Sequence, residues 1–213
     1  MEKQELAERF TRNHLQLVDF VTALSPAQQQ FKAGEKWTAL QQLHHIVLVL
    51  QPIDFILGSK EKMEEKFGTI SRGGMSYDEL LQNYFKGLSN GGKAPERFLP
   101  AASATLNLEE MSVSIKSLLA HISEQLNGFS EADMDRIAVP HPFLGNLSLR
   151  EMLYLMSYHP IHHLNQIGNT NLYIQQIKGR PSPKRIVNTM YLRKQFRRSI
   201  QYSGSTGWHR RHR

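Results

Sequence analysis

Apolar residues recur every three or four positions along most of this 213-residue chain, which is the spacing of an amphipathic helix. The pattern covers four long segments, 2–24, 38–57, 106–127 and 148–177. The second segment is apolar around most of its circumference, as is typical of a helix in the middle of a bundle. We find no alternation of apolar and polar residues that would indicate a half-buried strand, and no internal repeat. The sequence therefore predicts an all-α protein, an up-and-down four-helix bundle.

Local signals mark the ends and the interruptions of these helices. Segments 76–79 and 148–151 both have the Ser-x-x-Glu form of a capping box. The first predicts one short extra helix that ends near residue 88, and the second predicts the start of the last long helix. Pro52 and Pro160 lie inside predicted helices, and each predicts a local bend because proline has no amide proton.

The charge of the chain is unevenly distributed. Segment 178–213 holds eleven of the 26 basic residues and none of the 19 acidic residues. The preceding 177 residues therefore carry a net charge of −4, although the whole chain carries +7. We expect residues 1–177 to form the bundle and residues 178–213 to form a basic C-terminal extension.

The composition of this extension is compatible with two roles. Its basic residues are interleaved with aromatic residues, which suits binding of single-stranded nucleic acid or of an acidic partner. It also contains Pro181, Pro183 and a Ser/Gly-rich stretch at 203–207, which are typical of a flexible solvated segment. We therefore expect no nucleic-acid binding by the bundle itself, and any such binding would depend on the extension.

Several classes of protein are excluded by what the sequence lacks. The chain contains no cysteine, which excludes disulfide bonds, thiolate metal sites and a cysteine nucleophile. Its longest aliphatic run, 46–50, is far too short to span a membrane. The first ten residues alternate in charge and do not have the form of a secretion signal. We expect a soluble, cytoplasmic protein.

Histidines in the last long segment provide the clearest functional signal. His159 and His163 are four residues apart, so their side chains lie on one helical face, one turn apart. Pro160 occupies the position of the glutamate in His-Glu-x-x-His metalloproteases, so we reject a protease. Two buried imidazoles need either a metal ion or hydrogen bonds to each other. A third ligand would come from another helix, where helical periodicity does not choose between His44 and His45.

Three motifs resemble those of the DinB/YfiT-like superfamily. Residues 37–46 resemble its Trp-Ser/Thr helix start with a histidine eight residues after the tryptophan. Residues 141–151 resemble the His-Pro-x-x-Gly-x-Leu-Ser/Thr segment that leads into its last helix, and residues 158–167 resemble its His-x-x-His-His-x-x-Gln-Ile signature. The motifs occur in the family's order, and the resemblance covers the chain up to about residue 177.

The resemblance implies a four-helix bundle that binds a divalent metal, nickel or zinc, through His45, His159 and His163. It also implies a homodimer and a small-molecule substrate. Members are described as metal-dependent hydrolases, and some relatives transfer a low-molecular-weight thiol. We therefore expect a metal-dependent hydrolase or thiol S-transferase, with no catalytic residue assigned beyond the metal ligands.

Two further residues and one alternative function follow from the same segments. Gln166 lies on the same side of its helix as His163, where it either supports that ligand or forms a hydrogen bond between helices. Trp37 is expected in the core rather than in a pocket.

The alternative to an enzyme is a non-catalytic bundle that the metal stabilises, with a basic extension that binds nucleic acid or an acidic partner.

Overall fold

A computed structural model describes the backbone of residues 1–177 and the side chains of residues 1–171 except Ala104. The packing described below concerns residues 1–171. The helices are α1 (Lys3–Thr22), α2 (Pro26–Gln29), α3 (Ala39–Leu57), α4 (Lys60–Phe67), α5 (Tyr77–Ser89), α6 (Leu108–Gln125), α7 (Glu131–Arg136) and α8 (Leu149–Ile177). Two strands, β1 (Ala138–His141) and β2 (Gly145–Ser148), lie between α7 and α8. The predicted basic extension, 178–213, lies outside the described residues.

The four long predicted helices are confirmed as α1, α3, α6 and α8, each within two residues of its predicted bounds. Helices α1, α3 and α6 pack against one another in pairs. Their apolar faces, together with that of α8, form one core. The side chains that it buries most completely include Leu6, Phe10, Leu17, Leu43, Ile46, Leu50, Ile115, Leu119 and Ile122. These residues recur at the three- and four-residue spacing from which the helices were predicted, because that spacing keeps one face of each helix out of water.

Helix α3 is the most apolar helix of the described chain. By length and composition alone it would be able to cross a membrane. Half of this apolar stretch is buried inside the protein, however, and the core helices of soluble proteins can have the same length and composition. It continues through Pro52, and α8 continues through Pro160. Helix α3 begins at Thr38, whose hydroxyl accepts a hydrogen bond from the Gln41 amide at 3.1 Å.

The connection between α7 and α8 is a two-stranded antiparallel hairpin, which the sequence pattern did not indicate. Ala138 pairs with Ser148, and His141 pairs with Gly145. Gly145 has a φ of +72°, which glycine adopts without steric cost at this turn. Each strand has four residues and β1 contains Pro140, so neither segment is long enough to display alternation.

Helix α5 confirms the predicted short extra helix, and the described chain holds three further short helices, α2, α4 and α7. Helix α4 is capped by Ser59, whose hydroxyl accepts a hydrogen bond from the Lys62 amide at 3.3 Å. Helices of one or two turns contain too few residues for a periodic pattern, and caps and tertiary contacts stabilise them.

The carboxylate of Glu151 joins three parts of the chain at the start of α8. The predicted capping box is confirmed, because the Ser148 amide donates to Glu151 Oε2 at 2.8 Å and the Glu151 amide donates to Ser148 Oγ at 3.2 Å. The same carboxylate accepts two N–H groups of Arg72, at 2.7 and 2.6 Å, and the Met75 amide at 2.7 Å. The side chain of Glu151 is only 1% exposed. These contacts fasten the 68–75 connection to the last helix.

The environment of Glu151 favours its ionised form. Burial alone would raise its pKa, but the Arg72 guanidinium and the amides of Met75 and Ser148 outweigh burial and hold the pKa below the ordinary glutamate value. The buried carboxylate is therefore both charged and fully partnered.

Candidate metal centre

Three histidines from two helices converge between α3 and α8. The Nε2 atoms of His45 and His159 are 3.3 Å apart, and those of His159 and His163 are 3.0 Å apart. The three candidate ligand atoms all lie within 4.8 Å of one another. His45 and His163 are each 4% exposed, and His159 is half-buried. The structure thus brings together the three residues to which the sequence resemblance pointed.

In two of these rings, the Nδ1–H group donates a hydrogen bond to an oxygen atom, which orients the ring. The Nδ1–H of His45 donates to the carbonyl oxygen of Phe98 at 2.7 Å. The Nδ1–H of His163 donates to Oε1 of Gln42 at 3.0 Å. The amide of Gln42 is oriented by its own donation to the Trp37 carbonyl at 3.3 Å, which leaves Oε1 facing the histidine. With the proton on Nδ1, the Nε2 atoms of both rings carry a lone pair directed into the site.

The donor set fits a divalent metal ion. Burial, followed by the proximity of the other imidazoles, lowers the pKa of His159 and His163 well below the ordinary histidine value, and burial also lowers the pKa of His45. All three rings are therefore neutral at neutral pH. His159 has at most one Nε2–H, which can satisfy only one of the two lone pairs that face it. A cation would satisfy all three nitrogens, and tetrahedral ligands about 2.1 Å from zinc are about 3.4 Å apart.

His44, the competing ligand candidate, lies outside this site. Its Nδ1 accepts the amide N–H of Ala101 at 3.1 Å. Consecutive residues on a helix are separated by about 100° around the axis, so His44 and His45 are directed to different neighbours. The packing of α3 therefore selects His45.

Gln166 forms no hydrogen bond with His45, His159 or His163. Its amide donates to Nε2 of His162 at 2.7 Å, a contact within α8. Gln42 instead supports His163, and sequence reasoning did not assign it a role. A signal was available, because Gln42 is a polar residue three positions before His45, so both lie on one face of a helix that is apolar around most of its circumference. Its side chain is 2% exposed, as expected of a buried amide that is fully hydrogen-bonded.

Trp37 lies at the edge of the site rather than in the core, so its expected position was wrong. Its ring centroid is 5.0 Å from that of His45 and 6.4 Å from that of His163. The side chain is half-buried and lines a cavity beside the histidines. Trp37 immediately precedes the Thr38 cap of α3 and lies eight residues before His45 in the chain.

This cavity has a volume of about 560 Å³ and is bordered by all three histidines. Two further histidines, His141 on β1 and His162 on α8, lie in its wall. Burial lowers the pKa of His141 to about 4, and burial followed by the proximity of His45 lowers the pKa of His162. His141 Nδ1 accepts the Leu144 amide N–H at 3.3 Å, and His162 Nε2 accepts from Gln166. Both wall imidazoles are therefore neutral, and each has its lone pair already engaged.

No aspartate or glutamate lies among the described residues that line the cavity. Asp54, the carboxylate nearest to His45 along α3, pairs instead with His121 Nδ1 at 2.6 Å and accepts from Gln125 at 3.4 Å. Asp54 is thus a polar contact between α3 and α6.

Replacement of Gln42 by leucine should weaken metal binding by about 10- to 100-fold. The substitution keeps a side chain of similar size but removes the acceptor that orients His163 and fixes its tautomer. Competition for zinc against a chromophoric chelator measures the effect. Gln166→Leu is the matched control, since Gln166 contacts His162 and not a candidate ligand. Equal losses in the two variants would contradict the specific role of Gln42.

Comparisons with known proteins agree with this architecture. The sequence profile of the DinB superfamily matches residues 9–167. The four-helix bundle protein TT2238, known from a crystal structure, is similar with a TM-score of 0.52 and 18% sequence identity, over 79% of this chain and 99% of that one. That likeness concerns the fold alone. No curated protein matches the chain significantly. Because the profile match spans most of the described bundle and includes His45, His159 and His163, this chain belongs to the DinB superfamily.

Proposed function

We propose that this chain is a metal-dependent enzyme that transfers a low-molecular-weight thiol to a small molecule in the cavity beside His45, His159 and His163. The metal would be nickel or zinc, which neutral imidazole ligands suit. The observation that carries the proposal is the convergence of three neutral imidazole nitrogens at the wall of an accessible cavity. When bound, a divalent ion with three neutral ligands makes a coordinated thiol or water molecule more acidic.

The residues around the site keep the ligand rings in one orientation. The Phe98 carbonyl and the Gln42 amide fix the Nδ1–H tautomers of His45 and His163, as described above. Hydrogen bonds of this kind at the Nδ1–H of a histidine ligand raise the basicity of its Nε2 and reduce the freedom of the ring to rotate. The apolar cavity wall excludes water from a substrate that lies against it, which strengthens electrostatic interactions there.

Hydrolysis is the other reaction that the resemblance implies, and the cavity supports it less well. A hydrolytic site usually holds a general base that takes a proton from the attacking water. The described lining contains no carboxylate, and the lone pairs of His141 and His162 are engaged. A thiol has a pKa of about 8.5 and so loses its proton more readily than water. In the transfer, a sulfur–carbon bond forms, the leaving group departs with its electron pair, and the thiol proton passes to solvent.

Metal-loaded protein should accelerate thioether formation between a small thiol such as glutathione and the electrophile 1-chloro-2,4-dinitrobenzene. The rate, measured by absorbance, should fall to the uncatalysed value in His163→Ala and should be retained in His44→Ala. Hydrolysis of p-nitrophenyl acetate serves as the competing assay. Metal-dependent ester hydrolysis that needs no thiol would contradict thiol transfer and favour a hydrolase.

A control separates a catalytic metal from one that only clamps α3 to α8. Chelation should leave the helical circular dichroism at 25 °C unchanged, because the apolar core does not depend on the site. It should still lower the melting temperature, since the ion binds only to the folded state. Loss of helical signal on chelation would favour the non-catalytic alternative. The homodimer that the resemblance implies remains a prediction, and so does a nucleic-acid or acidic partner of segment 178–213 under that alternative.

A further inference from the structure

The wall of the cavity is apolar on several sides. Helix α3 contributes Val49 and Ile53, the turn at 96–98 contributes Phe98, the hairpin contributes Phe143 and α8 contributes Met156. A volume of about 560 Å³ lies within the usual range for sites that bury a small organic ligand. Contact with this wall would remove water from both surfaces, which favours a ligand with an apolar body.

Three basic side chains, those of Lys66, Lys93 and Arg97, also line this cavity. All three residues are exposed, so they lie at its rim rather than in its depth. Within the described part of the chain, none of the three forms an ion pair, and no acidic residue shares the lining with them. No carboxylate of the described residues therefore lies within ion-pair distance of these three side chains.

Aromatic contacts keep two of these charges beside the opening. Lys66 Nζ lies 5.4 Å from the ring centroid of Phe67, and Arg97 Cζ lies 4.7 Å from that of Phe98. Both rings belong to the cavity lining. The first 177 residues carry a net charge of −4, so a rim with only positive charges does not follow from their composition.

We infer that the substrate is an organic anion with an apolar body, a carboxylate or sulfonate, whose charged group binds at Lys66, Lys93 and Arg97. The inference rests on the proposed function, because it takes this cavity as the substrate site. A cationic rim attracts anions and repels cations. The apolar wall disfavours highly polar polyanions such as nucleotides, whose hydrated surfaces would lose water without gaining hydrogen bonds.

Three ligands that share one body test the charge preference. Binding of 4-phenylbutyrate, its neutral amide and the cationic 4-phenylbutylamine to chelator-treated, full-length protein is measured by calorimetry at low salt. The carboxylate should bind about tenfold more tightly than the amide, and the amine should bind most weakly. Quenching of Trp37 fluorescence, in a Trp208→Phe background that removes the second tryptophan, reports whether the ligand occupies this cavity.

Removal of the rim charges should abolish the preference. In Lys66→Met/Lys93→Met/Arg97→Met, the carboxylate and the amide should bind about equally, and each single variant should show part of the loss. Lys116→Met is the matched control, because Lys116 is an exposed lysine on α6 outside the cavity lining, and it should keep the full preference.

Three outcomes would overturn the inference. They are equal binding of carboxylate and amide to the wild type, a preference that survives in the triple variant, and no binding of any of the three ligands. Because the protein is metal-free in this experiment, the result does not depend on metal binding. Failure of the metal site would leave the anion preference intact, and failure of the preference would leave metal content unchanged.

Discussion

Alanine at His45, His159 or His163 should abolish the near-stoichiometric metal binding expected of the wild-type chain. Each substitution leaves only two imidazole ligands, and two ligands do not hold zinc or nickel against dilution or a competing chelator. The measurement is elemental analysis of untagged protein after reconstitution with either metal and removal of unbound ions. Far-UV circular dichroism of each variant establishes that the bundle remains folded.

The matched control is His44→Ala. His44 is adjacent to His45 in the chain, but its ring binds the Ala101 amide and not the site, so its loss should leave metal content unchanged. His163→Gln provides a second variant that fills more of the volume of the ring than alanine does. Wild-type protein that takes up neither nickel nor zinc would contradict the metal centre and would leave the three histidines as polar residues of the core.

Replacement of Glu151 by glutamine should lower the free energy of unfolding at pH 7 by about 2 kcal/mol. The buried carboxylate would lose its charge-assisted hydrogen bonds, whereas the Arg72 side chain is 41% exposed and can be hydrated. The carboxylate is 1% exposed and binds Arg72 through both oxygens. Glutamine retains a carbonyl oxygen for the Ser148 amide, but it places an NH₂ group against the guanidinium or against a backbone amide. Urea unfolding followed by circular dichroism measures the change.

The effect of Glu151→Gln should also depend on pH in a defined direction. The pKa of Glu151 is lower in the folded chain than its ordinary value of 4.5. Its stabilising contribution is therefore fully present above pH 4.5 and declines as the pH falls through the folded-state pKa. The stability difference between wild type and variant should narrow over that acidic range. Glu64→Gln is the control, since Glu64 also pairs with an arginine, Arg136, but in a more exposed setting. A stability difference between wild type and Glu151→Gln that stays constant until the protein unfolds in acid would contradict this stabilising role of the Glu151 carboxylate.

The four long helices could be predicted because each buries an apolar face over about five or more turns, which is enough to establish a period. The hairpin and the helices α2, α4 and α7 could not be predicted in this way. Helix α7, for example, has six residues, begins at a Ser130 cap and is contacted from elsewhere, since the Ile70 amide donates to the Arg136 carbonyl at 2.7 Å. Contacts of that kind leave no periodic pattern in either segment.

The sequence by itself determined that His159 and His163 lie on one face one turn apart, because a four-residue spacing on a helix is a local property. The choice of His45 over His44 was different, since α3 is apolar around most of its circumference and its periodicity does not define one inward face. The packing of α3 against α8 made that choice. The acceptors behind the rings were likewise decided by the tertiary structure, because Phe98 is 53 residues from His45 and Gln42 is 121 residues from His163 in the chain. Helical periodicity acts over a few residues, and it cannot specify contacts between segments that only folding brings together.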